Sequence, residues 1–222
     1  MGRGVAEAAI AAGADVMVTS RTKAKASKAG DEIGARGLAL DMGDGQSIEA
    51  LFRDVGSFDH LVITAGATGR SNFAETPPSE AREFMDLKLW ATHKCIWEAK
   101  AHLKNTGSIT LFSGGYAAAV TSEAGHVHVA FQAIEAMARA TAVALAPIRC
   151  NVIRPGFIDS ALWDFMDEAE RDALREQERS RTLSGEIVTP RELGDAVIAI
   201  ISASAITGVT IPIDGGRHLW QP

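Results

Sequence analysis

The sequence predicts an α/β protein built on a parallel sheet. Short apolar runs of strand length, each closed by glycine, proline or a polar residue, recur along the whole chain. Between them lie stretches of about 10 to 20 residues with apolar side chains at helical spacing. No linker composition, low-complexity segment or internal repeat breaks the alternation. The 222 residues therefore read as one domain, 1–222, with a doubly wound, Rossmann-type sheet.

Each element has its own signal. Gly2 to Ala12 reads as a helix, with Val5, Ala9 and Ile10 on one face and Gly13 as its stop. Asp15 to Ser20 is a strand, Lys23 to Gly34 a helix, Gly37 to Asp41 a strand and Ser47 to Val55 a helix. His60 to Gly66 is a strand that ends on a glycine. Pro77 and Pro78 announce the next helix, with Ser79 as its N-cap, and that helix is expected to reach about Lys104. Ile109 to Phe112 is a buried strand running into Ser113 and two glycines. A helix rich in small residues follows and stops at Pro147, and Ile148 to Gly156 is a strand closed by Pro155 and Gly156. Asp159 to about Leu183, mixed in charge and carrying Trp163, Phe165 and Met166, reads as a partly helical lid. Arg191 to Ser202 is a helix begun by Pro190, and Thr207 to Gly216 a last strand with its turn.

Composition narrows the function classes. Apolar content of 46% and charged content of 23% are globular values. A net charge of -6 with no basic run argues against a nucleic-acid partner. Cys95 and Cys150 fall inside predicted elements without metal-ligand spacing, which suits two buried thiols in a reducing compartment. No apolar stretch reaches the roughly 18 residues of a membrane span, so the expectation is a cytoplasmic protein with no membrane partner.

The order strand, serine, loop, small-residue helix, strand, Pro-Gly from Gly107 to Gly156 resembles the short-chain dehydrogenase/reductase family. Asp41-Met42 resembles the family's adenine contact, and Thr64-Ala65-Gly66 its Asn-Ala-Gly beneath the cofactor. Pro155-Gly156-Phe157-Ile158-Asp159-Ser160 matches its P-G-x-x-x-T turn, and Thr207-Gly208 and Asp214-Gly215-Gly216 complete the pattern. The resemblance implies hydride transfer between an alcohol and a carbonyl, a small-molecule substrate, a nicotinamide cofactor and a homodimer or homotetramer. Its implied cofactor residues are Gly2, Arg3, Ser20, Arg21, Asp41, Met42, Ala65, Gly66, Pro155, Gly156, Ile158 and Ser160. Ser20-Arg21 stands where an NAD-specific enzyme places an acid on the ribose, which points to NADP(H) over NAD(H).

Two features depart from the family pattern. Met1-Gly2-Arg3-Gly4 looks like the tail of the T-G-x-x-x-G-x-G turn, so the first, central strand is expected to be missing, whether by truncation or by a sheet closed around a gap. The alignment also puts Val127 at the family's catalytic tyrosine and Phe131 at its lysine. Tyr116 is the chain's sole tyrosine and no lysine follows Lys104, so no realignment restores the pair. The family's serine falls at Ser113 or, one residue on, at Gly114. Lys88 falls at the asparagine of its proton relay and could supply the missing cation. His126 and His128 flank Val127 and either take over the proton or sit idle at a helix start. The HVH pair lacks a third metal ligand at suitable spacing, so no metal is expected. The expected function is an NADP(H)-dependent oxidoreductase with an eroded centre, or else a non-catalytic nucleotide- or partner-binding relative.

Overall fold

Every recorded strand pair is parallel, as the alternation with helices requires. The computed structural model describes residues 1–66, 69, 71–160 and 163–220. In chain order these form α1 (Gly2–Ala11), β1 (Met17–Ser20), α2 (Lys23–Ile33), β2 (Arg36–Ala39), α3 (Gly45–Val55) and β3 (Phe58–Ile63). Next come α4 (Pro78–Met85), α5 (Ala91–Ala99), β4 (Leu103–Phe112), α6 (Gly125–Ala144) and β5 (Arg149–Pro155). The chain finishes with α7 (Glu168–Arg179), α8 (Pro190–Ser202) and β6 (Thr210–Ile213).

The sheet is in two pieces. β1 and β2 pair with each other, and β3, β4, β5 and β6 form a second sheet in that order. Among the described residues no ladder joins β1 to β3. β4 and β5 are the central strands of the larger piece, and Ile109, Leu111, Val152 and Ile153 on them are fully buried. Ile109, Leu111 and Val152 meet α3, α5 and α6 in one apolar cluster, while Ile153 and Phe112 meet α1 and α8 in another. Helices thus cover both faces of this sheet, which removes apolar strand surface from water at roughly 25 cal/mol per Å².

Glycine sets how closely α1 and α8 cross. A Cβ at Gly4 would strike the Pro190 carbonyl, and a Cβ at Gly194 would strike that of Gly4. Both helices therefore lie nearly backbone to backbone. Side-chain caps fix several helix starts: Thr22 accepts from the Lys25 amide and Asp44 from Gln46, and Asp167 and Thr189 form capping boxes with Glu170 and Glu192. Each such cap contributes about 1 kcal/mol.

Two expected boundaries move. Ser79 is not an N-cap: Pro78 is already in the first turn, and Pro77 caps without a side-chain bond. Proline needs no hydrogen-bond partner there. The helical stretch also ends at Ala99 rather than near Lys104, because Leu103 already pairs with Phe58 as the first residue of β4. Between α4 and α5 the helix does not break but widens into one π turn, Asp86–Trp90. Such turns re-aim side chains and recur at functional sites.

The segment expected to be a lid contains α7, which has no buried residue. Charge ties it down. Asp159 accepts from Arg171 at 2.7 and 2.9 Å and from Arg175 at 2.7 Å. Trp163 packs on Phe157 and donates its indole N–H to the Ile158 carbonyl. Ala161 and Leu162 of this segment lie outside the described residues.

Candidate functional site

The region where the sequence places a reaction centre is apolar packing. Val127 is 2% exposed and Phe131 8%, one turn apart on the face of α6 that meets the loop after β4. With Ala117 they form a small cluster, against which Phe84 and Tyr116 pack. None of Val127, Phe131 and Ala117 carries a group that can move a proton.

Gly114 completes this arrangement. A Cβ there would sit 2.5 Å from Cε2 of Phe131, so the ring occupies the space that any side chain at 114 would need. Ser113, the remaining hydroxyl, is buried and donates to Glu135 Oε1 at 2.9 Å. Glu135 in turn accepts two hydrogen bonds from Arg154, at 2.9 and 2.7 Å. Burial alone would lower the pKa of Arg154, but the hydrogen bond to Glu135, the largest influence, holds it above the usual arginine value. The Ser113 hydroxyl is thus engaged in a structural ion-pair network. Sequence reasoning missed Glu135 and Arg154. The available signal was a lone acid four residues after Phe131, on the same buried stripe of α6.

Lys88 lies within the π turn and is its buried residue. Its side chain is buried, and its ammonium donates to the Phe112 carbonyl at 3.0 Å. It also lies 5.4 Å from the centre of the Phe131 ring. Burial alone lowers its pKa to about 8.

The two histidines are engaged with the loops over α6. His126 stacks on Phe73, ring centres 4.7 Å apart, and its amide donates to the Ser71 hydroxyl. His128 bonds through Nδ1 to the Tyr116 carbonyl at 2.7 Å, which requires Nδ1 to carry the proton. Together with Gln132, which donates to the Ala117 carbonyl, it fastens the loop to α6.

The expected cofactor residues gather at the C-terminal ends of the strands, where open α/β sheets bind ligands. Gly2 opens α1 beside Thr64, the residue after β3. Arg3 is occupied by Glu7 and Glu32, at 2.8 and 2.6 Å, and ties α1 to α2. Ser20 ends β1, and Arg21 after it is exposed. The Asp41 carboxylate accepts from the Gly43 amide, and Met42 is buried against Cys95 at 3.5 Å. Ala65 is exposed, and Gly66 has a φ of 140°, a conformation that favours glycine. A Cβ at Gly66 would stand 3.1 Å from the Lys88 ammonium, and one at Gly156 would meet the Asp214 backbone at 2.9 Å. Pro155 and Ile158 are buried, while Ser160 accepts on its carbonyl from Arg171. A helix N-terminus, an exposed arginine and glycines at close backbone approaches fit a dinucleotide laid across the strand ends.

Comparison with known proteins fits this geometry. A family model described as "Enoyl-(Acyl carrier protein) reductase" matches residues 1–218. The chain belongs to the short-chain dehydrogenase/reductase family. It is 28% identical over 241 residues to the 3-oxoacyl-[acyl-carrier-protein] reductase FabG of Vibrio harveyi, covering 99% of this chain and 93% of that relative. A crystal structure of a small-chain dehydrogenase in complex with NADPH is 31% identical, covers 81% of this chain and 83% of its own, and superposes with a TM-score of 0.76. The ligand-free aldohexose dehydrogenase of Thermoplasma acidophilum shares the fold at a TM-score of 0.87 and 23% identity, covering all of this chain and 91% of its own.

Proposed function

We propose that this family member binds NADP(H) at the strand ends but has lost the usual proton-transfer centre. The observation that carries the reading is the packed Val127 and Phe131, with Gly114 emptied to receive the ring. Bound nicotinamide would supply a hydride for a carbonyl substrate, a ketone or aldehyde. Around it Gly2, Ser20, Arg21, Asp41, Ala65, Gly66, Gly156 and Ser160 would hold the two nucleotides. Arg3 would contribute only by exchanging Glu7 and Glu32 for phosphate. Met42, Pro155 and Ile158 would serve through their backbone, since their side chains are buried. Ser113 and His128 are assigned no proton transfer, because each is engaged elsewhere, and neither is His126, whose ring is stacked on Phe73 with its Nδ1 buried and without a hydrogen-bond partner among the described residues.

Arg21 favours NADPH over NADH. A charge-assisted contact with the 2′-phosphate is worth about 1.5–3 kcal/mol. Fluorescence titration should therefore give at least roughly tenfold tighter binding of NADPH. Arg21→Ala should remove most of the difference, and equal binding of the two by the unmodified chain would overturn the preference.

Exposed apolar side chains on the π turn, α5 and α6 support assembly of identical chains through these elements. Trp90 is 57% exposed and Trp97 58%, and Val129 and Val143 on α6 are exposed too. Exposed apolar groups of this size mark contact surfaces, and a dimer or tetramer of identical chains would cover them. No helix among the described residues is long and apolar enough to cross a membrane. Free, buried Cys95 and Cys150 suit a cytoplasmic setting. A scaffold kept for nucleotide or partner binding is the second reading, favoured by the same apolar plug; it predicts cofactor binding with no turnover at all.

A further inference from the structure

We infer that Lys88 is a cofactor-positioning residue whose ammonium holds the ribose hydroxyls of the nicotinamide half. The inference rests on the dinucleotide reading above and assigns the atom that anchors its second nucleotide. An ammonium carries three N–H donors. That of Lys88, 5% exposed, has one hydrogen-bond acceptor among the described residues, the Phe112 carbonyl. Among the described residues no carboxylate pairs with it, and no charge contributes to its lowered pKa. Among the described residues two of its donors thus have no acceptor, and the ammonium lies next to the Phe131 ring and next to Gly66. Leaving such donors unmatched is costly, and a ligand that supplies two oxygens recovers the loss.

The position selects which oxygens. The phosphate-bearing half of a dinucleotide belongs near Gly2, Ser20 and Arg21, at the ends of β1 and the start of α1. The second half then crosses to the ends of β3 and β4, and Lys88 reaches that place. A vicinal diol is neutral, offers two acceptors side by side and needs no counter-ion. The sequence has no lysine on α6, so the cation arrives from the opposite wall. The extra residue of the π turn makes that reach possible.

The neighbours of the ammonium are a carbonyl, a glycine and a phenyl ring, all uncharged, and burial is the one cause of its lowered pKa. NADPH binding should therefore weaken as pH rises through about 8, because the ammonium loses its charge and one donor. The Met1 amine is also lowered by burial and titrates nearby. Its contribution is common to the unmodified chain and to a Lys88 variant, so the difference between them reads Lys88.

The test is calorimetric titration of the whole chain and of Lys88→Met with NADPH and with 2′,5′-ADP, which lacks the nicotinamide half. The expected result is roughly tenfold weaker NADPH binding by the variant at about pH 7, with 2′,5′-ADP unchanged within about twofold. The unmodified chain should lose NADPH affinity between about pH 7 and pH 9.5, and the variant should not. If Lys88→Met does not fold, Lys88→Arg, whose cation does not titrate between about pH 7 and pH 9.5, takes its place: its NADPH affinity should stay flat over the range in which that of the unmodified chain falls, and a parallel fall in both overturns the role of Lys88. Binding of 2′,5′-ADP with NADPH affinity flat in pH and unmoved by the variant overturns the role of Lys88 and leaves the cofactor reading standing. Failure of both ligands to bind overturns both.

Discussion

The mouth of the sheet and the start of α6 are neighbours, yet they differ in what they can do. At the mouth, glycines keep backbone open at Gly66 and Gly156, and Arg21 stands exposed after β1. At the start of α6, Val127 and Phe131, which the sequence resemblance puts at the family's proton-moving positions, are packed together, and the Phe131 ring fills the space beside Gly114. The two sets of features answer to different physics. A cradle for a dinucleotide is made largely of backbone and depends on the fold. A proton relay depends on individual side chains and disappears with them. On the proposed reading, the family's fold persists here where its chemistry does not.

The largest effect should come from reversing the plug. Val127→Tyr with Phe131→Lys restores an acid and its cation, and one placed acid or base typically contributes about 10²- to 10⁴-fold. Gly114→Ser becomes possible only once the Phe131 ring is gone, so the triple variant should exceed the double. NADPH oxidation with ketones and aldehydes measures this. Intact cofactor binding with no gain would mean that something other than the plug separates the two regions.

Next in size is the network behind Ser113. Glu135→Ala strands a largely buried Arg154 and should cost about 3–5 kcal/mol in urea unfolding. Removing both partners, as Glu135→Leu with Arg154→Met, should cost less than the single change. Ser113→Ala should cost only about 1 kcal/mol and leave any residual turnover as it was. A large catalytic effect of Ser113→Ala would move that hydroxyl into the reaction centre.

The smallest effect concerns α7. Burial would raise the pKa of Asp159, but hydrogen bonds and charge from Arg171 and Arg175 outweigh it, and the net value is lowered. A depressed folded value means the stabilisation is complete above the ordinary carboxylate pKa and fades as pH falls through the lowered one. Amide exchange in 168–179 should then rise in acid before that of β4 and β5, by an amount worth under about 1 kcal/mol. Asp159→Asn should produce the same change at neutral pH. Equal protection of α7 and the core throughout would show that more than charge fastens the helix.

Much of this was legible in the sequence. The six strands among the described residues follow from apolar runs such as Ile109 to Phe112, and the absence of lysine after Lys104 is what the proposal of a lost reaction centre starts from. What was not legible depends on contacts distant in sequence. The start of β4 at Leu103 is fixed by Phe58, not by its own polar residues. The bond from Ser113 to Glu135 spans 22 residues, and the inward turn of Lys88 depends on a π turn that helical periodicity does not reveal. His126 and His128 read alike in sequence; one stacks on Phe73 and the other holds a carbonyl only because of the loops above them.

Steady-state NADPH oxidation by the unmodified 222-residue chain, over a panel of ketones, aldehydes and quinones, tests the central claim most directly. A packed Val127 and Phe131 predict rates at least 10²-fold below the roughly 10 per second of an ordinary enzyme, even where titration shows NADPH bound. Reduction of any carbonyl in that panel at about 10 per second would contradict it.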